Sequence, residues 1–426
     1  MQKIFFFLVI CIMTVAVNAQ PKKAVASNEK IILPGAYQTT EYLPLLKGKK
    51  VGVFANQTSV IGNTHLVDSL QRLGVNVTKI FAPEHGFRGT ADAGENIKTY
   101  IDEKTGITVV SLYGAKLKPA AADLKDVDIM LFDIQDVGVR FYTFISSLQY
   151  FIESAIQNNL PVIVLDRPNP NGFYVDGPVL DSSYKSFVGM QPVPVVYGMT
   201  IGEYAKMLLG EEWLPWKTAR QADGKISLGE VLGFEEEHNN FRLTVIKCKN
   251  YTHKSRYVLP VKPSPNLADM DAIYWYPSTC FFEGTVLSEG RGTEHPFQIF
   301  GHPDLPDSLY AFTPKSNAGA QDPKWKDKVC YGWNLAVMKE KSPVRIQLKW
   351  LIRAYQLFPD KENFFIKPKR FNQEPEDYFF NKLAGNDELM QQLIAGKTED
   401  EICKSWQPKL EAFKKIRKKY LLYSDF

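Results

Sequence analysis

No GxGxxG follows the first apolar strand of this 426-residue sequence. A dinucleotide site lacks its phosphate turn there. No GxxxxGKS/T loop is present to cradle a nucleotide triphosphate, and no GxSxG elbow to carry an α/β-hydrolase serine. HExxH is missing, and the six histidines are dispersed, so zinc-protease chemistry has no anchor. The five cysteines form no CxxC pair, which argues against a zinc ribbon. Charge is nearly balanced, 51 Lys and Arg against 47 Asp and Glu, leaving no basic footprint for nucleic acid. Past the first twenty residues no apolar run is long enough to span a bilayer. There is no internal repeat and no low-complexity tract.

What is present begins with an address. Lys3 precedes an apolar run from Ile4 to Val17, and Val17 and Ala19 fit the small-residue rule for cleavage before Gln20. Residues 1–19 read as a signal peptide. The expected location is the periplasm or the medium, with no membrane span after cleavage. Cys11 belongs to the discarded peptide. Cys248, Cys280, Cys330 and Cys403 remain, and read equally as free buried thiols or as pairs.

From Lys50 a rhythm sets in. Short apolar strands are expected at Val51–Asn56, Val75–Phe81, Ile107–Leu112, Asp128–Asp133, Pro161–Asp166 and Leu243–Cys248. Helical spacing intervenes at Thr64–Leu73 and Thr143–Asn158. Thr200 and Glu203 form a capping box for a further helix. This alternation implies an α/β fold with a doubly wound, Rossmann-like parallel sheet. Prolines 260, 263 and 265 then break the pattern. Residues 31–255 are expected to form the catalytic domain. Residues 256–426 are expected to form a smaller α+β domain that closes a cleft.

In open parallel sheets ligands bind beyond the carboxyl ends of the strands. Each expected strand delivers polar residues to that rim: Asn56 after the first, Glu84, His85 and Arg88 after the second. Asp133, Asp136, Arg140 and Tyr142 follow the fourth, and Asp166, Arg167 and Asn169 follow the fifth. Carboxylates are the strongest chemical resource here, and glycoside hydrolysis typically needs two. Glu84 is the first candidate for the proton donor, in a loop stiffened by Pro83 and opened by Gly86 and Gly89. Asp133, Asp136 and Glu95 are candidates for the second carboxylate. In the second half, Glu283, Glu289, Arg291, Glu294 and His295 crowd into one glycine-rich segment. Asn266 lies in the proline-flanked turn before it.

Five segments carry a resemblance: PEHGFRG at 83–89, DIQDVGVRFYT at 133–143, DRPNPNG at 166–172, KPSPNL at 262–267 and FEGTVLSEGRGTEHPF at 282–297. Together they resemble the NamZ-type exo-β-N-acetylmuramidases over nearly the whole chain from Gly48. The resemblance implies a Rossmann-like domain and a smaller C-terminal domain with the active site between them. It also implies release of N-acetylmuramic acid from the non-reducing ends of peptidoglycan fragments, with Glu84 as the PEHG glutamate. No cofactor and no metal are implied. A guanidinium suits the lactyl carboxylate of muramic acid, and Arg140, Arg167 and Arg291 are equal candidates. Two rival readings use the same residues. One is a metal-dependent deacetylase or amidase with His85, His295 and Asp136 as ligands. The other is a muropeptide-binding protein without turnover.

Overall fold

A computed structural model describes residues 30–84, 86–89, 98–214, 241–338, 343–369 and 373–426. The expected signal segment, His85 and Glu95 lie outside them. Strands in the first half are β1 (Lys50–Ala55), a hairpin of β2 (Val60–Ile61) and β3 (Thr64–His65), β4 (Asn76–Ala82), β5 (Tyr100–Ile101), β6 (Thr108–Ser111), β7 (Ile129–Asp133), β8 (Val162–Leu165), β9 (Asp176–Val179), β10 (Pro194–Val196) and β11 (Leu243–Ile246). Seven of them form one sheet, ordered β11-β8-β7-β1-β4-β6-β5. All its neighbours run parallel except β5 with β6. Leaving out β5 and counting along the chain, the order is 3-2-1-4-5-6, the doubly wound Rossmann arrangement.

Apolar runs such as Ile-Met-Leu-Phe at 129–132 are buried on both faces, as a sheet covered on two sides requires. Beneath one face lie Val51, Val53, Ile80 and Leu131. Phe54, Phe81, Phe132 and Phe151 stack and edge against one another on the other. The helix Phe144–Gln157 supplies Phe151 to that second layer. Thr200 caps the helix Ile201–Gly210 through the expected box with Glu203. The expected helix start at Thr64 moves to Leu66, because Thr64 and His65 pair back onto Val60 and Ile61.

The second half contains a helix, Met270–Thr279, and an antiparallel sheet of β12 (Ile299–His302), β13 (Tyr310–Phe312) and β14 (Cys330–Asn334), with β14 central. Among the described residues five short α-helices follow between Lys349 and Lys418. The last, Gln407–Lys418, buries Leu410, Phe413 and Arg417 and leaves its lysines outside. Residues Ile32–Phe426 form one compact unit. Its larger hydrophobic cluster runs without interruption from Phe132 through Trp275 and Phe282 to Phe413. The four described cysteines are free thiols, and all but Cys403 are buried. Among the described residues no helix is long and apolar enough to cross a membrane.

Candidate active site

Glu84 follows β4 in a turn closed by a 3.0 Å bond from the Gly86 amide to the Pro83 carbonyl. Gly86 has φ +75°, a conformation that suits glycine. Phe87 anchors the loop from below, buried edge-on against His65. The Glu84 side chain is half-buried and receives the hydroxyl of Tyr113, the rim residue after β6. Burial, then the charge and hydrogen bond of Glu84, push the Tyr113 phenol well up, so it stays a donor.

Both residues line a cavity of about 450 Å³, within the range of small-ligand sites. Its apolar wall is Phe144, Phe187, Val188 and Phe379, joined by Phe141 and Tyr142. Phe141 and Tyr142 pack edge-on against Tyr276 of the second half, at 5.4 and 6.0 Å. The Tyr142 hydroxyl is buried without a hydrogen-bond partner among the described residues. Burial, and then the charges of Asp136 and Glu84, hold it well above the usual phenol range. Two wall residues adopt left-handed backbone, Thr143 at φ 70° and Phe297 at φ 60°. Such positions are costly for these residue types and cluster at functional sites.

The opposite wall carries Glu283, Glu289, Arg291 and Lys324. Arg291 bonds Glu283 at 2.5 Å and pairs with Glu289 at 3.2 Å, and Lys324 pairs with Glu289 at 3.1 Å. Burial raises the Glu289 carboxyl, but Lys324 and Arg291 outweigh it and hold the group below the usual carboxylate range. The cavity thus presents one carboxylate held by a tyrosine, facing a wall in which two carboxylates are matched by two cations.

Other rim residues are committed elsewhere. Arg167 meets Asp133 in a fully buried bidentate pair, at 2.6 and 2.8 Å. Together with Asn56, Thr58 and Ser59 this pair fills the crevice between β1 and β7, where the strand order reverses. Arg140 is fully buried and donates to the carbonyls of Pro178, Val193 and Leu383. Of the three candidate arginines, Arg291 alone lines the cavity. Asp136 accepts the Tyr197 hydroxyl and the Gly138 amide, leaving Oδ1 without a partner among the described residues. Burial pushes its carboxyl up to about 6, and those donors pull it back only in part.

Asp166 accepts from Thr200, Gly202 and Tyr423, and Asn169 ties Met199 to Asn171. Asn56 shapes its own turn by accepting from Thr58. Arg88 pairs with Asp102 and Asp68 in a separate hollow. Asn266 and Glu294 line a third hollow that shares Ser264 with the cavity. His295 lines none of the three. Among the described residues no three His, Cys, Asp or Glu side chains converge on a point. Of the residues that sequence reasoning missed, Tyr113 had a signal, being the polar residue after a strand. Lys324 and Phe379 had none, because they stand outside every motif.

A parallel sheet in Rossmann order, with a carboxylate-bearing cavity at its carboxyl rim walled by a second half of the chain, defines an α/β enzyme of the sugar-hydrolase kind. Residues 51–271 match the family model "Exo-beta-N-acetylmuramidase NamZ, N-terminal" and residues 274–423 match its C-terminal counterpart. The chain belongs to the NamZ exo-β-N-acetylmuramidase family. It is 36% identical over 412 residues to the peptidoglycan β-N-acetylmuramidase NamZ of Bacillus subtilis (strain 168), covering 90% of this chain and 89% of that one. Two crystal structures of DUF1343 family proteins from Bacteroides fragilis NCTC 9343 are similar. The first has TM-score 0.79 and 43% identity, over 93% of this chain and 100% of the other. The second has TM-score 0.73 and 28% identity, over 92% and 99%.

Proposed function

We propose that this protein is a glycosidase that releases N-acetylmuramic acid from the non-reducing ends of peptidoglycan fragments. The observation that carries the reading is Glu84, half-buried, bonded by Tyr113 and facing a sugar-sized cavity walled by both halves of the chain. In this reading Glu84 exchanges a proton with the glycosidic oxygen, and Tyr113 fixes the orientation of its carboxyl. Phe141 and Tyr142 offer ring faces and a free hydroxyl to the sugar. Arg291 faces the lactyl carboxylate. Asp133, buried against Arg167, does not reach the cavity in this arrangement, so the second carboxylate is drawn from Glu283 and Glu289.

The test is digestion of a muramic acid–glucosamine disaccharide followed by mass spectrometry. The wild-type protein should release free muramic acid, and Glu84→Gln should keep the fold and lose that release. Full activity in Glu84→Gln removes Glu84 from the mechanism. Intact disaccharide bound by the wild type supports a binding protein, and activity lost to chelator supports the metal-dependent rival.

Export is part of the same proposal, supported by Lys3, the apolar run Ile4–Val17 and the small residues before Gln20. Mass spectrometry of the secreted or periplasmic protein should find Gln20 at its N-terminus. An intact Met1 would reverse that.

A further inference from the structure

The segment between β13 and β14 is tied to the loop 282–291 at several points. Lys324 places its Nζ 3.0 Å from the Phe282 carbonyl, 3.1 Å from Glu283, 2.9 Å from Thr285 and 3.1 Å from Leu287. A fifth oxygen, Glu289 Oε2, lies at 3.1 Å. An ammonium has three N–H donors, so the four carbonyls share them, and Glu289 Oε2 adds an ion-pair contact at the same range. The arrangement is closer to the coordination of a compact cation than to a set of directed bonds. Next to it, Trp325 donates its indole N–H to the Val286 carbonyl at 2.7 Å. Gly292 accepts the Lys315 amide at 2.9 Å, and a Cβ on Gly292 would stand 2.6 Å from Pro323. The segment therefore grips the loop along its length, and Lys324 supplies the charged tie.

That loop delivers the charged wall of the cavity. Glu283 and Glu289 lie inside the stretch wrapped around Lys324, and Arg291 lies just beyond it, held by both carboxylates. We infer that Lys324 is a positioning residue: its ammonium, encircled by four main-chain carbonyls and Glu289, sets the loop that presents Glu283 and Arg291 to the sugar. This rests on the muramidase reading. A neutral side chain would leave four carbonyls turned inward with no cation between them, and Glu289 with Arg291 as its remaining partner. Mutual repulsion of the carbonyls would open the loop.

The experiment uses the full chain and the muramic acid–glucosamine disaccharide. Lys324→Met keeps the length and packing of the stem and removes the charge, Lys324→Ala leaves room for a small amine, and Trp325→Phe removes a neutral tie to the same loop. Wild type and Trp325→Phe should show similar kcat. Lys324→Met should lose about 100-fold in kcat, the cost typical of a misplaced catalytic wall. Its acid limb of kcat/KM should move to higher pH, because Glu289 has lost a cation that favours its ionised form. Methylammonium should restore Lys324→Ala in a saturable way, and tetramethylammonium should not.

A Lys324→Met enzyme with unchanged kcat and pH profile overturns the inference. So does a loss accompanied by no pH shift in Lys324→Met and no methylammonium rescue in Lys324→Ala, since a merely structural lysine would behave that way. Wild-type protein that leaves the disaccharide intact sinks the muramidase reading, and this inference with it. Active wild type with unaffected variants sinks the inference alone.

Discussion

Arg140 and Arg291 carry the same charge and do different work, and their surroundings decide it. Arg140 is sealed from water and spends its guanidinium on three carbonyls from three separate segments. Removing it strips a donor from three buried carbonyls; Val193 keeps the Leu180 amide at 3.2 Å, and each acceptor left unsatisfied costs about 1–3 kcal/mol. Arg140→Met should therefore lower the unfolding midpoint sharply, while whatever folded enzyme remains keeps its KM. Arg291→Met should do the reverse, raising KM for a muramic acid substrate with a smaller change in stability. Steady-state kinetics beside denaturant melts would read both. A raised KM in folded Arg140→Met would return that residue to the substrate.

Asp136 tests the same separation through pH. Its folded carboxyl sits at about 6, above the ordinary aspartate range, chiefly because it is buried. The folded state then binds more protons than the unfolded chain between about pH 4 and pH 6. The stability this group contributes is complete below the unfolded value and is lost as pH rises through the folded one. Asp136→Asn removes that loss, and its carbonyl oxygen can still accept from Tyr197 and Gly138. Relative to wild type, the variant should gain stability as pH rises from 4 to 7, by on the order of 1–3 kcal/mol at the upper end. Thermal melts across that range would show it. A difference that stays flat with pH would mean the carboxyl ionises as readily folded as unfolded.

At the scale of elements, the strands and the Thr200 cap are local matters and were legible in the sequence. A run such as Ile-Met-Leu-Phe has nowhere to go but a sheet buried on two faces. Thr200 and Glu203 satisfy each other's backbone groups within one turn. Thr200→Val loses both the cap and the 2.7 Å donor to buried Asp166, so it should cost about 2–4 kcal/mol, measurable as a shift in denaturation midpoint. An unchanged midpoint would show that the helix end does not need that hydroxyl. The rim was legible too, since the residues after parallel strands must gather on one edge. Which of them face a ligand was not. Asp133 and Arg167 follow their strands just as Glu84 follows β4, but they find each other across the β1–β7 crevice and fill it. Pairing across 34 residues leaves no periodic trace, and neither does Lys324 closing on a loop about 40 residues away. The charged loop 283–294 could be read as rich in functional groups. Its division between the cavity and the neighbouring hollow depends on tertiary turns, such as the left-handed Phe297.

At the scale of the whole molecule, the cavity exists only while both halves of the chain hold their walls in place, and the segment Leu421–Phe426 is one of the ties. The Leu422 amide donates to Glu203 at 2.7 Å, the Tyr423 hydroxyl to Asp166 at 2.5 Å, and the His253 amide to the Ser424 carbonyl at 2.9 Å. Asp425 holds Arg417, which also grips the Gly198 carbonyl. Asp166 and Glu203 are themselves buried at the carboxyl end of β8 and the start of the helix Ile201–Gly210. Deleting residues 421–426 would strip donors from two buried carboxylates at once and free a buried arginine from its partner. Tyr423→Phe removes one of those donors and the acceptor of the Cys248 amide at 2.8 Å, and should cost about 2–4 kcal/mol, with activity intact at low temperature. The deletion should cost several times as much and, because it loosens the second half against the sheet, should lose disaccharide cleavage together with its cooperative melt. Limited proteolysis and the cleavage assay on the same samples decide the point. A deleted protein that resists protease and turns over normally would mean the two walls are held by the shared apolar core alone.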